Sequence, residues 1–429
     1  MPTNSTEESQ VAWATARKCV TQSFNPNKRL MSVMGTFQKM VNDCIRMGLQ
    51  FEEYTDSTPS MRKLSLLSYD ALKRYGGYSM YRLTAISQAA GMISSRRKSI
   101  RRGFPTKTPC LSKPILVSCY GFRIEGGNLF LHVDHEEFES IPLNRHTLEV
   151  LSDPALRVRS FTLTERSLSV CVSKEVQTRK VSGVVGVDRN LRNLTVGNEQ
   201  KATQYDISKV VEIVEATKSI VRSFKRKDVR VGGKIASKYG KHRSERIKRV
   251  VHNVSKDIVS KAKAENVGVV FEDIRYIRTL YRKGNNQGPA FRSKMNSVPW
   301  GEIKRQIEYK AAWEGIPVIT LTRGETRGTS RDCPRCGERL QAGAKDDRNH
   351  YRMLWCQKCA RWMDRDIIAV MNISHRGRLR FDRSKGEAGE AVKGNPTTPV
   401  ILRVDASKPA WLTGPSIAGR TLNQSRSVT

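Results

Sequence analysis

Two Cys-x-x-Cys pairs, Cys333/Cys336 and Cys356/Cys359, constrain this chain more than any other feature. Nineteen residues, 337 to 355, separate the pairs. Thiolates at that spacing match a tetrahedral Zn²⁺ site in which each pair forms a tight knuckle. Pro334 and Gly337 supply turn chemistry, so that backbone amides can face the thiolate charge. Simple buried packing or isolated redox pairs would not call for two knuckles at this separation. Asp364-Arg365-Asp366 follows, and then the apolar residues Ile367, Ile368, Val370, Met371 and Ile373. Their spacing predicts a helix with one buried face and Asp366 in its first turn. A zinc ribbon therefore delivers an acidic residue to the head of a core helix.

Charge narrows the partner. The 429 residues hold 76 Lys and Arg against 41 Asp and Glu, a net of +35. That field favours an extended polyanion over a small acidic metabolite, and it exceeds what solubility requires. Nucleic acid is the expected partner. Five further cysteines (Cys19, Cys44, Cys110, Cys119, Cys171) are scattered, and the total of nine is odd. This argues against a disulfide framework and for a reducing compartment. The opening MPTNSTEESQ lacks the features of a secretory signal, and no uncharged apolar run approaches the ~18 residues of a membrane span. The expectation is a soluble cytoplasmic protein with no membrane partner.

Along the chain, 17–24 reads as an isolated strand, and Asn25-Pro26 as a helix cap followed by proline at the first helical position. Helical periodicity continues from Leu30 to Ile45, with further helices at 60–75 and 79–100. The third ends in a basic cluster, Arg96, Arg97, Lys98, Arg101 and Arg102. Beyond a Pro-rich stretch at 104–114 come short alternating runs, with Gly126-Gly127 as a hairpin turn. They predict a small β module, barrel-like, into which the helices are inserted. A third domain opens at Val181 with a buried strand ending at Asp188, a strand at 194–196 and another at 202–207. A helical region at 208–265 is expected to break near Gly232-Gly233. Thirteen basic residues between Lys218 and Arg249 face only Asp228 and Glu245, which suggests a face lying along a nucleic-acid backbone. Arg222, Lys225, Arg226 and Lys227 are its central candidates. Val267–Phe271 is a buried strand running into Glu272.

These shifts divide the chain into an N-terminal segment with a first strand (1–24), a helical lobe (25–109), a β module (110–180) and a mixed domain (181–330). The zinc ribbon (331–362), a last helix (363–378) and a Gly-, Pro-, Ser- and Thr-rich tail (379–429) complete it. The tail reads as disordered, or ordered only on a partner.

Three acids occupy matching positions: Asp188 and Glu272 end strands, and Asp366 opens a helix. Singly, each is an ordinary turn or cap residue. Their order is that of a layout in which all three converge at one end of a sheet. A carboxylate cluster with no lysine partner needs cations, and Mg²⁺ is the natural occupant. Two ions roughly 4 Å apart could activate water and stabilise the leaving oxygen in phosphodiester hydrolysis.

The segments GVDRNLRNLTVGN, VVFEDI, TSRDCPRCG, CQKC and DRDIIAVMNI occur in this order. In them the chain resembles TnpB, the RNA-guided endonuclease of insertion sequences, related to the compact type V CRISPR effectors. The resemblance is specific from Val181 to Ile373 and architectural before that. It implies an α+β multidomain protein: an RNase H-like (RuvC) nuclease domain with the zinc ribbon inserted, a β-barrel wedge domain and a helical recognition lobe. It also implies that Asp188, Glu272 and Asp366 are a catalytic Mg²⁺ site, that Cys333, Cys336, Cys356 and Cys359 hold Zn²⁺, and that the partners are a guide RNA and a double-stranded DNA target. Two departures stand out. Arg189-Asn190 replaces a pair that is small or apolar in many relatives, and Ile368 stands where Asn is common. Neither is expected to touch a carboxylate. The competing readings are a nucleic-acid binder that no longer cuts and a transposase or its accessory protein. Retention of three acids favours cutting over mere binding; the placement of the ribbon, together with the resemblance, disfavours the transposase.

Overall fold

The computed structural model describes residues 13–224, 229–275, 277–281, 284–343, 352–384 and 400–405. They form two compact units, Thr15–Glu175 and a second that takes in the residues before Thr15 and those from Val176 onward.

The first unit opens on β1 (Trp13–Ser23), followed by α1 (Lys28–Thr55), α2 (Met61–Leu72) and α3 (Met80–Arg101). Asn27, not Asn25, caps α1: its side chain accepts the Leu30 N–H at 2.9 Å. Leu30, Met34, Phe37, Val41 and Cys44 are buried along one stripe, as a 3.6-residue period demands. Gly48 lets α1 lie close to its neighbours, since a Cβ there would meet Ile93 Cδ1 at 2.4 Å. Then come β2 (Ile115–Ser118), β3 (Phe122–Glu125), β4 (Asn128–His132), β5 (Phe138–Pro142), α4 (Arg145–Leu151), β6 (Arg157–Thr164) and β7 (Ser167–Gln177). Gly126 and Gly127 both have positive φ, 54° and 77°, as a two-residue hairpin turn requires. The strands make a four-stranded sheet in the order β1-β7-β6-β2 and a separate three-stranded sheet β3-β4-β5. The expected barrel is therefore corrected to two open sheets. No ladder joins them among the described residues.

The second unit opens with β8 (Gly183–Arg189), β9 (Asn193–Gly197) and β10 (Lys201–Asp206), an antiparallel meander. α5 (Ser208–Ser223) and α6 (Val229–Ala264) lead to β11 (Val267–Phe271). Gly232 and Gly233 lie inside α6, so the helical region does not break there; nothing packs against either glycine to make its missing side chain matter. α7 (Pro289–Ser297), α8 (Trp300–Trp313), β12 (Val318–Thr320) and α9 (Arg323–Thr326) precede the ribbon strands β13 (Gln341–Ala342), β14 (Met353–Cys356) and β15 (Arg361–Asp364). α10 (Arg365–Ser384) and β16 (Val400–Asp405) end the described chain. The main sheet has the order β12-β11-β8-β9-β10-β16, with β11 parallel to both β8 and β12.

Within 379–429, read as disordered or ordered only on a partner, 385–399 and 406–429 lie outside the described residues, while residues 400–405 form a strand. They pair in parallel with β10 from Lys201↔Val400 to Asp206↔Asp405, and α10 itself runs to Ser384. The short run Val400-Ile401-Leu402 has the β-branched, apolar character of a strand, which the composition around it conceals.

β8 is buried on both faces, and alternation assigns each residue its layer. Val185 and Val187 enter a core with Val250, Val254 and Ile258 of α6 and Ile303 and Ile307 of α8. Val184 faces the opposite layer, packing with Val270, Leu321 and Ile373 of α10. Gly186 shares that second face. A Cβ there would lie 2.5 Å from the Val370 carbonyl oxygen, so glycine is what allows α10 to rest on the sheet. Gly377 does the same from the helix, where a Cβ would meet Val270 Cγ2 at 2.4 Å.

Candidate functional site

Register brings two of the acids level. Val187 pairs with Phe271, so Asp188 and Glu272 are the next residues at the carboxyl ends of adjacent parallel strands. Alternation puts Asp188 on the face of Val184 and Gly186, the face that α10 covers. α10 begins beside that edge because Asp364 Oδ1 accepts the Asp366 N–H at 2.8 Å. Asn372 anchors the same helix to the root of the ribbon, donating to the Thr329 and Asp332 carbonyls at 2.8 Å each. Asp366 is thus carried to the sheet end by a helix pinned on two sides.

The three carboxylates interact, and the loop after β8 ties two of them together. Asn190 Nδ2 donates to Asp188 Oδ2 at 2.7 Å and to Asp366 Oδ1 at 3.0 Å. Asn193 Nδ2 donates to Asp366 Oδ2 at 2.9 Å. Burial, and then the charges of Glu272 and Asp366, hold Asp188 well above the usual carboxylate range. Burial also raises Asp366, against the hydrogen bond from Asn193, and raises Glu272, against the pull of Arg189. Neighbouring Asp273 does not join the cluster: it pairs with Arg275 at 2.7 Å, and that bond holds its carboxyl low.

The expectation that Arg189-Asn190 touches no carboxylate is wrong on both counts. Asn190 bridges two of them, and Arg189 Nε lies 3.8 Å from Glu272 Oε1. The cluster lacks lysine but has a buried guanidinium of its own. A further arginine comes from the ribbon: Arg352 Nε donates to Asp364 at 2.9 Å, and its Nη2 lies 4.0 Å from Asp366 Oδ2. The sequence reading missed Asn193 and Arg352 as well. Repeated amides in DRNLRN, directly after a strand-ending acid, were the available signal for Asn190 and Asn193. Arg352 carries no local signal, since β14–β15 pairing brings it to Asp364. Ile368, in contrast, is fully buried in the ribbon's apolar cluster with Cys333, Leu340, Leu354 and Cys356.

The cysteines meet more closely. All four sulfurs lie within 4.8 Å of one another, the one such group of metal-ligating atoms among the described residues. Cys333 and Cys359 sulfurs are 3.9 Å apart, and those of Cys336 and Cys356 are 3.5 Å apart. Tetrahedral Zn–S bonds of about 2.3 Å put sulfurs about 3.8 Å from each other, so the donor set fits zinc. Each knuckle closes through a left-handed residue after its second cysteine, Gly337 at φ 74° and Ala360 at φ 49°. The carboxylates form a looser set of hard oxygens. They suit Mg²⁺, which keeps part of its water shell.

The candidate nucleic-acid contacts fare unevenly. Arg96 and Arg97 each reach the buried Glu52 at 3.3 Å, and Arg97 also bonds Asp56 at 3.1 Å, so both are engaged in joining α3 to α1. Arg101 and Arg102 are exposed at the end of α3, and Arg222 is exposed near the end of α5. Lys225, Arg226 and Lys227 lie outside the described residues. Among the described residues, no helix is long and apolar enough to cross a membrane.

Comparison with known proteins adds three findings. A family model described as the Cas12f1-like TNB domain matches residues 300–373, from α8 through the ribbon into α10. Two proteins of Methanocaldococcus jannaschii are similar in sequence. TnpB-like protein MJ0751 is 25% identical over 273 residues, covering 59% of this chain and 91% of that protein. TnpB-like protein MJ1635 is 21% identical over 371 residues, covering 82% and 83%. Among solved structures, the cryo-EM structure of a Cas12f1–sgRNA–target DNA complex matches with a TM-score of 0.55 at 12% identity, covering 81% of this chain and 83% of that one. That likeness is one of fold: an α+β, multidomain architecture.

Proposed function

From the premise that this chain is a TnpB-like protein related to the compact type V effectors, we propose that it is an RNA-guided DNA endonuclease. In this reading the six-stranded sheet with α10 is an RNase H-like (RuvC) nuclease domain. The ribbon is its zinc-bound insertion, the two open sheets of the first unit are the wedge, and α1–α3 are the recognition lobe. Asp188, Glu272 and Asp366 are the catalytic acids. The observation that carries the reading is the meeting of these three carboxylates, from β8, the end of β11 and the head of α10, at one edge of the sheet.

The residues divide the work. Mg²⁺ bound by the three acids would supply Lewis-acid activation of a water and stabilise the leaving oxygen. Asp188 and Asp366 are held at a fixed separation by Asn190, so the site is shaped before substrate arrives. Asn193 fixes the second oxygen of Asp366 and so sets the direction of its lone pairs. Arg352, 44% exposed at the rim, offers positive charge to a phosphate approaching the acids. The four thiolates would hold Zn²⁺, which would lock the knuckles, and Asn372 and the β15–α10 junction connect them to the helix that carries Asp366. The net charge of +35 suits a folded guide RNA and its heteroduplex, where pairing chooses the sequence and the protein supplies shape and charge.

The test is cleavage in Mg²⁺ by the protein with its copurified RNA, on DNA matched to the guide segment of that RNA and on scrambled DNA. Cutting of matched DNA alone, abolished by Asp188→Ala without loss of the RNA, is the expected result. Equal cutting of both targets would refute guidance, and undiminished cutting by Asp188→Ala would refute the site.

A further inference from the structure

Arg189 is the odd residue of the acidic cluster. Its side chain is 3% exposed, as deeply buried as the valines beside it. Nη1 donates to the Trp300 carbonyl at 3.2 Å and Nη2 to the Glu272 carbonyl at 2.9 Å. The guanidinium carbon lies 5.3 Å from the centroid of the Phe271 ring. The third guanidinium nitrogen, Nε, is buried with no hydrogen-bond partner and stands 3.8 Å from Glu272 Oε1. Two carbonyls carry only partial charge, so a guanidinium removed from water this far needs an anion nearby. The anions acting on it are Glu272 first and Asp188 next, both of the cluster, and after them Glu308 and Asp273.

We propose that Arg189 is the resident counter-ion of the Asp188–Glu272–Asp366 cluster: it does a cation's work at Glu272 in the metal-free protein, and it thereby sets how weakly a divalent ion is held there. The proposal rests on the reading of these acids as a metal site and deepens it. Fully ionised, as it would be around a divalent ion, the cluster carries −3, and Arg189 leaves it at −2. A divalent ion approaching Glu272 meets a fixed positive charge that cannot deprotonate, because a guanidinium stays charged. The metal-free site is stable without an ion, and the ion is held weakly until further negative charge, such as a substrate phosphate, arrives beside it.

A purely structural role is the rival account. In that case Arg189 merely pins the ends of β11 and α8 through their carbonyls, and a neutral donor of similar reach would serve. Charge separates the two. R189Q retains an amide donor and loses the charge, while R189K retains the charge. The full-length protein and its R189Q, R189K, E272Q and R189Q/E272Q variants are compared by thermal unfolding in EDTA and by Mn²⁺ binding, read from the electron paramagnetic resonance of the free ion. In EDTA, R189Q melts about 5 °C or more below the parent, because a buried Glu272 loses its partner. Adding E272Q recovers most of that loss, and R189K stays nearer the parent than R189Q does. R189Q binds Mn²⁺ about tenfold or more tightly, since one repelling charge has gone.

The proposal is overturned if R189Q melts with the parent, if the losses of R189Q and E272Q simply add, or if R189Q and parent bind Mn²⁺ equally. Should R189Q not fold, R189K against R189Q/E272Q decides on the same two readouts. Failure of every form to bind Mn²⁺ would overturn the metal-site reading and the ion-affinity half of this proposal with it. The unfolding cycle in EDTA still decides the counter-ion half.

Discussion

Two clusters of would-be anions lie on either side of the ribbon–α10 junction, where Asp366 is, and the protein treats them differently. The four ribbon sulfurs lie within 4.8 Å of one another, in a small apolar cluster with Leu340, Leu354 and Ile368. The three carboxylates are looser, and each has a partner from the chain: Asn190 for Asp188, Asn190 and Asn193 for Asp366, Arg189 for Glu272. A thiolate set braced by backbone amides, such as the Cys359 N–H on Cys356 Sγ at 3.4 Å, depends on its metal for existence, whereas a carboxylate set with side-chain amides and a guanidinium can wait for one. On the proposed function, the first would be a built-in strut, and the second a site that loads an ion along with substrate.

The largest break in this comparison comes from the strut. Cys336→Ser should release the zinc, because ligation of this kind contributes on the order of 10–16 kcal/mol to small zinc domains. Elemental analysis should show one Zn²⁺ per chain in the parent and none in the variant. Hydrogen exchange should show residues 331–343 and 352–364 losing protection, and cleavage should vanish as Asp366 is displaced. Retained protection without zinc would mean that the ribbon folds on its apolar cluster alone.

A smaller effect is expected at the amide bridge. Asn190→Ala removes charge-assisted bonds to two carboxylates and should destabilise the metal-free second unit by about 1.5–3 kcal/mol. Saturating Mn²⁺ should restore most of that, as measured by urea unfolding with and without the ion. No addition should similarly rescue Cys336→Ser, and that asymmetry sharpens the contrast.

Asp188 gives a pH test of the same idea. Its folded value is raised by burial and by Glu272 and Asp366, so the folded protein holds this proton more tightly than the unfolded chain does. The stability it contributes is present below the unfolded value of about 3.9 and is lost as pH rises through the raised folded value. Asp188→Asn should therefore stabilise the protein in EDTA by about 1 kcal/mol or more at neutral pH, with the gap closing toward pH 4. A gap independent of pH would mean that Asp188 is not strained by its neighbours.

The smallest effect lies away from both clusters. Arg222→Ala should weaken RNA binding uniformly and lower the salt slope by about one ion, as the loss of a single phosphate contact does. Arg96→Ala should leave the slope unchanged and destabilise the first unit, because it leaves Glu52 buried with one partner fewer.

Much of this was legible in the sequence because local chemistry and long-range position coincide. Cysteine spacing is a local rule, and so is the apolar stripe of α10 that fixes Asp366 at its head. Strand ends at Asp188 and Glu272 follow from short valine runs bounded by acids. What escaped was set by tertiary geometry. A buried arginine looks exposed in a chain with 76 basic residues, so Arg189 gave no warning of its place beside Glu272. The pairing of Arg96 and Arg97 with Glu52 was not visible because Glu52 lies on another helix. The barrel failed for a related reason: alternation predicts strands, and says nothing of whether two sheets close on each other. The strand at 400–405 was hidden by the composition of its surroundings.

The central claim is that the carboxylates cut DNA through divalent ions, and the most direct test is at the scissile phosphate. A single phosphorothioate at the mapped cleavage position should slow cutting strongly in Mg²⁺, a hard ion that binds sulfur poorly, and Mn²⁺ should restore much of the rate. The ribbon's zinc should be unchanged throughout. Equal rates for oxygen and sulfur in Mg²⁺ with both diastereomers, or cleavage that persists in EDTA, would contradict the account.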